Sequence, residues 1–213
     1  MTNELLEKIY EPSSLSSLML SACKVHARTV KDNYAVRRQK DKIKKIQDRY
    51  IGKCSEWKVY NSFLPLFSNI TEPDMRVLKV EEKSWEPDLY IGKLPVIVKS
   101  CSPITRRKYC LSWMFSASKK KGKGKDIEVF GDDVKDKLCA FVLGDTVNNV
   151  FQIRVLVPLY TLLKEDLFSS PKVFHLQEYK KSVYACDLSI KGYRYNEIND
   201  SVYKLFNSYG EKL

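Results

Sequence analysis

The stretch WEPDLYIGKLPVIVKSC, residues 85–101, decides how this chain is read. Pro87-Asp88 opens a short apolar run, GKL at 92–94 turns the chain, and a second apolar run ends on Lys99. Two such runs around a glycine-bearing turn predict a β-hairpin. Residues two apart on a strand share a face. Ile97 and Lys99 therefore point the same way, toward Asp88 across the hairpin. A lysine set amid Val96, Ile97 and Val98 needs an anionic partner or a depressed pKa.

Working outward toward the N-terminus, KCSEWKVYNSFLPLF at 53–67 reads as a helix ending near Pro65. Val59, Tyr60 and Phe63 lie three, four and seven residues beyond Glu56, so its carboxylate shares their apolar face. A buried carboxylate without a partner is costly, and Glu56 is therefore expected to face something positive. Before it, NYAVRRQKDKIKKIQDRYIG at 33–52 predicts a long exposed helix that Gly52 breaks. Val36, Ile43, Ile46 and Tyr50 form a narrow apolar stripe there, and lysines and arginines occupy the remainder. Residues 1–33 read as one or two short helices.

Toward the C-terminus, strands are expected at MRVLKV (75–80), KLCAFVLGD (137–145) and FQIRVLVPL (151–159), with GDTVNNV turning between the last two. In the last strand Phe151, Ile153, Val155 and Val157 alternate with Gln152 and Arg154, the pattern of a half-buried strand. SWMF at 112–115 reads as core packing. A helical patch at 158–165, a strand at SVYACDL (182–188) and an amphipathic helix through Ile198, Val202, Leu205 and Tyr209 follow. Helices first, then a strand meander, then helix and strand predict an α/β (α+β) fold around a mixed central sheet. The expected division is a basic helical extension over 1–50 and a core over 51–213.

Composition narrows the function classes. A chain of 213 residues with 44% hydrophobic and 12% aromatic residues can build a core. Its 37 Lys+Arg against 26 Asp+Glu leave a formal charge of +11, which suits a polyanionic partner. Glu4 and Glu7 near the start do not fit a signal peptide, and no stretch approaches the roughly 18 apolar residues of a spanning helix. A cytoplasmic protein that does not enter a membrane is expected. Cys23, Cys54, Cys101, Cys110, Cys139 and Cys186 form no CxxC pair and read as buried, reduced thiols. With only His26 and His175 present, a metal would be held by carboxylate oxygen, which points to magnesium or manganese. KKKGKGK at 119–125 lacks the order of a phosphate-binding P-loop. It reads as a solvated loop or, near a nucleic acid, as a phosphate grip. YIG occurs at 50–52 and 90–92 without a preceding GIY, and no Ser-His-Asp arrangement or nucleophile elbow is present.

Three elements in order carry a resemblance: Glu56 on a helix, Pro87-Asp88 at the head of a strand, and Lys99 on the next strand. In this the chain resembles the PD-(D/E)xK nuclease superfamily, which includes restriction-type endonucleases, over residues 51 to about 116. The resemblance implies a restriction-endonuclease-like mixed sheet flanked by helices and metal-dependent hydrolysis of DNA, as an endonuclease. By that implication Glu56 and Asp88 hold Mg2+ or Mn2+, the Val98 carbonyl contributes, and Lys99 orients or activates the attacking water. Arg37, Arg38, Lys42 and Lys45 on the basic helix, with Lys119, Lys120, Lys121 and Lys123, would grip DNA phosphates.

The pattern departs from the family at Ile97, where an acidic residue should stand two before the lysine. Glu56 is the candidate substitute. The alternative is a catalytically inactive nuclease-fold DNA-binding protein, and a basic structural protein with an Asp88–Lys99 ion pair stays open beside both. A second register, Pro73-Asp74 with Glu81-Glu82-Lys83, spells the motif formally. Its lysine stands in a polar run whereas VIVKSC is apolar, so Asp74 is kept only as an additional neighbouring ligand. The absence of a separate reading domain favours a homodimer or a protein that cuts with little specificity.

Overall fold

A four-stranded mixed sheet organises the molecule in the computed structural model, which describes residues 8–29, 41–77, 87–116, 137–173, 176–177, 180–194 and 197–209. A 3-10 turn at Lys8–Tyr10 precedes helices α1 (Ser17–Thr29) and α2 (Lys42–Phe63). Strands β1 (Leu89–Ile91) and β2 (Leu94–Cys101) lead into α3 (Pro103–Tyr109) and β3 (Ser112–Ser116). Then come β4 (Leu138–Asp145), β5 (Val150–Pro158), α4 (Leu159–Lys164), β6 (Lys180–Tyr184), α5 (Ala185–Ile190) and α6 (Asp200–Tyr209). The sheet order is β1-β2-β4-β5, with β2 and β4 parallel and the outer pairs antiparallel; β3 and β6 make a separate antiparallel pair.

The expected hairpin is present. Ile91 pairs with Leu94 across two residues, and Gly92 takes φ +58 at the first central position, where a primed turn requires it. Strand β4 shows why the sheet sits between two layers. Leu138, Ala140 and Val142 face α2 and α6, packing with Val59, Phe63, Val202 and Phe206. Cys139 and Phe141 face the other way, onto Trp113, Phe115 and Val183 of the small sheet and Leu159 and Leu162 of α4. Trp113 stacks on Phe141 at 4.6 Å, and its Nε1 donates to the Val142 carbonyl at 3.0 Å.

Both outer edges of the sheet are covered. Ser13 exchanges backbone hydrogen bonds with Phe151 of β5 (3.0 and 2.9 Å), and Ile70 bridges Ile91 of β1. Blunting exposed edges in this way prevents pairing with other chains.

Several expectations are corrected. Gly52 does not end a helix. It lies inside α2, which runs across residue 50, and nothing beyond its own helix backbone and chain neighbours lies within 4 Å of where its Cβ would be, so the helix bears only glycine's intrinsic cost of about 1 kcal/mol. The described start of α2 is set by Asp41, whose Oδ1 accepts from the Lys44 amide at 3.0 Å. Residues 8–29 join the core: Leu15 and Cys23 pack with Cys54 and Phe151. Strand β5 is buried on both faces rather than half-buried. Its register shifts between Phe141–Val155 and Val142–Ile153, leaving Arg154 as the extra residue of a bulge. The bulge turns Ile153 toward α2 and Val155 toward the small sheet. The strand at 182–188 ends at Tyr184, and ACDL is helical. Four cysteines are buried, but Cys110 and Cys186 are exposed. Met75–Val77 form no strand, and 78–80 lie outside the described residues.

Candidate functional site

Helix α2 positions Glu56. Val59 and Phe63 on its face are fully buried, and this packing carries Glu56 inward until the residue is 8% exposed. Lys53 reaches it from one turn back: Nζ lies 2.7 Å from Oε2. Burial nevertheless pushes the Glu56 carboxyl up to about 8, with the neighbouring Asp88 charge the next cause; Lys53 opposes both and loses.

Asp88 stands immediately before β1 and is half-buried. Its Oδ2 accepts from the Val98 amide at 2.7 Å. The last β1–β2 pair is Leu89 with Val96, so Asp88 takes over where the ladder stops. A strand residue turns its N–H and C=O to the same edge, and the Val98 carbonyl is therefore aimed toward that edge too. Asp88 thus sits against the Val98 backbone, and its charge is the second cause, after burial, that raises Glu56.

Lys99 follows Val98 on β2 and lies on the opposite face from Val98. Val98 packs with the α2 side, whereas Ile97 packs with the small-sheet side. Lys99 Nζ sits 4.8 Å from the centroid of the Phe115 ring, a cation–π contact. Ile97 and Lys99 do share a face, as strand alternation requires.

Asp74 is engaged by Arg76, and Lys53, the partner of Glu56, acts on it more weakly. Arg76 grips both of its oxygens, Nε to Oδ1 and Nη2 to Oδ2, each at 2.9 Å, and holds the carboxyl below the usual range. Lys42 is exposed and Lys45 half-buried on the first turn of α2. Arg37, Arg38, Lys119, Lys120, Lys121, Lys123 and the rival Glu81-Glu82-Lys83 lie outside the described residues.

Two carboxylates near one another, with a backbone carbonyl beside them, match the oxygen donors that magnesium takes while keeping much of its water shell. They do not make a protein cage. Among the described residues, no group of three His, Cys, Asp or Glu is gathered to hold a metal. No helix among them is long and apolar enough to cross a membrane.

Sequence reasoning missed three groups. Lys53 was findable, because a lysine three residues before a carboxylate on a helix is its neighbour. Lys58 is 3% exposed, donates to the Glu11 carbonyl (2.7 Å) and Ser13 Oγ (2.9 Å), and is lowered by burial to about 8. No local signal marks it, since its acceptors are far away in sequence. The third is α3, which starts two residues after β2 ends, capped by Ser102 Oγ on the Thr105 amide at 3.1 Å. It exposes Arg106, Arg107 and Lys108 just beyond the lysine strand. The run RRK was legible as charge but not as part of this end of the sheet. No family model, curated protein or solved structure matches the chain.

Proposed function

We propose that this protein is a metal-dependent nuclease of restriction-endonuclease-like fold that hydrolyses DNA phosphodiester bonds as an endonuclease. The observation that carries the reading is the Glu56–Asp88 pair: two carboxylates from a helix and a strand head, close enough that one charge raises the other's pKa in a largely buried setting. Proteins place like charges together at a cost, such pairs cluster at functional sites, and a bound dication would offset this one. Glu56 and Asp88 would hold Mg2+ or Mn2+, with the Val98 carbonyl turned toward them. When bound, the cation offsets negative charge building on the scissile phosphate. Lys53 balances Glu56 in the metal-free protein, and its ammonium is free to turn to a phosphate once the carboxylate is otherwise engaged. Lys99, on the strand next to Asp88, would orient the attacking water, and to do so it would have to leave the Phe115 ring on the other face of the sheet. The exposed Lys42 with Arg106, Arg107 and Lys108 supplies charge for the backbone.

A second reading is a nuclease-fold DNA-binding protein without catalysis. Ile97 in the acidic position and the stacking of Lys99 on Phe115 favour it. Plasmid and single-stranded DNA incubated with magnesium, manganese or EDTA, wild type beside Lys99→Ala, separates the two. The nuclease reading expects metal-dependent cutting that falls about a hundredfold or more in the variant. Salt-sensitive binding without cutting would leave the second reading. Neither cutting nor binding would leave a basic structural protein.

A further inference from the structure

Cys110 and Cys186, the two exposed cysteines, come from the same end of the small sheet. Ser112 pairs with Tyr184 at the end of the β3–β6 ladder, and the next residues stay joined through the Ala185 amide and the Leu111 carbonyl at 3.0 Å. Cys110 and Cys186 are the next residues beyond that joined pair, Cys186 in the first turn of α5, and both sulfurs act on the Lys172 ammonium. Cys110 takes φ +67, a left-handed conformation that a non-glycine residue seldom adopts.

A third group completes the cluster. Lys172 Nζ donates to Cys110 Sγ at 2.9 Å and lies 5.7 Å from the Tyr184 ring centroid. Its backbone amide donates to the Tyr184 hydroxyl at 3.1 Å, and that hydroxyl donates to the Ser170 carbonyl at 3.3 Å. The lysine is therefore anchored over the first thiol rather than passing by it. Its ammonium is raised above its ordinary range by the Cys110 sulfur, with a weaker contribution from Cys186. Cys186 Sγ donates to Asp187 Oδ1 at 3.5 Å, and burial together with that carboxylate raises its thiol. The two sulfurs are thus placed in unlike surroundings, one under a cation and one beside an anion.

We propose that Cys110 and Cys186 form a redox-modification site that closes to a disulfide when exposed to a small disulfide oxidant such as oxidised glutathione. Cys110 is the attacking thiol, because its sulfur is the one that the Lys172 ammonium contacts, at 2.9 Å. Its sulfur attacks one sulfur of the oxidant, releasing one glutathione thiol and leaving a mixed disulfide. Cys186 then gives up its proton and attacks Cys110 Sγ, releasing the second glutathione. Two protein thiols are oxidised and one glutathione disulfide is reduced to two thiols. Closure would tie the C-terminal end of α3, with its Arg106, Arg107 and Lys108, to the start of α5.

The test uses the full reduced chain with oxidised glutathione, followed by alkylation and non-reducing tryptic mapping. Cleavage after Lys108 and Lys181 puts the two cysteines in separate peptides. The expected result is recovery of those peptides joined, while buried Cys23, Cys54, Cys101 and Cys139 label only after unfolding. In Cys186→Ser, Cys110 should accumulate as the glutathione mixed disulfide. In Lys172→Met the first step should slow about three- to tenfold. Separate mixed disulfides on the two cysteines of the wild type would overturn the pairing, and an unchanged rate in Lys172→Met would overturn the role of the lysine.

Discussion

Glu56 and Lys58 lie two residues apart on α2, and both lose most of their water, yet the helix points them into opposite kinds of surroundings. Residues at that spacing do not face one another. Glu56 meets a second carboxylate, Asp88, and a single ammonium, Lys53. Lys58 meets a carbonyl and a hydroxyl of the segment that caps the edge of β5. Neutral acceptors satisfy an ammonium without adding charge, so Lys58 serves as a cross-tie between α2 and residues 11–13. A carboxylate beside a carboxylate gains nothing for the fold. Burial disfavours both charges, but one is given neutral hydrogen-bond partners and the other is set near a like charge, and the second is where a function is to be sought.

The largest effect that could break this contrast is the pH dependence of stability in EDTA. Glu56 is raised from 4.5 to about 8. Between those values the folded chain keeps a proton that the unfolded chain has released, so stability falls as pH rises through the window. The contribution is complete below 4.5 and lost above about 8. Glu56→Gln should abolish that limb, gaining on wild type by on the order of 5 kcal/mol between its two ends. Adding magnesium should flatten the same limb in wild type, by about 1.4 kcal/mol at a tenfold excess over Kd, and leave Glu56→Gln untouched. Parallel denaturation curves for the two proteins across pH would mean that neither burial nor Asp88 raises Glu56.

A smaller effect tests the other half. Lys58 is lowered from 10.5 to about 8, so between about 8 and 10.5 the unfolded chain holds the extra proton and stability rises with pH. Its contribution is present above 10.5 and lost as pH falls through about 8. Lys58→Met should remove that alkaline limb. It should also cost about 1–2 kcal/mol near neutrality, because the Glu11 carbonyl and Ser13 hydroxyl lose their donor. Amide exchange should speed at Ser13 and Phe151, which pair across the edge. Unchanged protection there would make Lys58 a passenger rather than a tie.

The contrast also measures what the chain made legible. The β1–β2 hairpin and the inward face of Glu56 followed from local spacing, because alternation and helical period act within a few residues. The same rules misread β5, where a bulge at Arg154 splits one alternation between two layers. The bulge depends on β4 across the ladder, not on the strand's own sequence. Gly52 was misread for a related reason: burial of Val59 and Phe63 against the sheet outweighs one glycine's preference. Lys58 was invisible because lysine reads as solvated until its acceptors, more than forty residues away, are in place. The pairing of Glu56 with Asp88 was an inference from motif order, which local spacing alone does not supply, because the two stand on different elements.

The smallest expected effect concerns the surface rather than the interior. If DNA lies across the start of α2, Lys42 and Lys45 neutralise phosphates and release counterions. Each lost contact should then lower the slope of log K against log salt by about 0.9. Lys42 is exposed at the first turn, whereas Lys45 is half-buried. The two should not contribute equally: Lys42→Gln should flatten the slope by close to one contact, and Lys45→Gln by less. Neither change should alter the pH profile that Glu56 sets, because α2 keeps them about three to four turns away. Equal slopes in wild type and both variants would move the phosphate track off α2 and leave the Arg106, Arg107 and Lys108 face of α3 as the surface to probe.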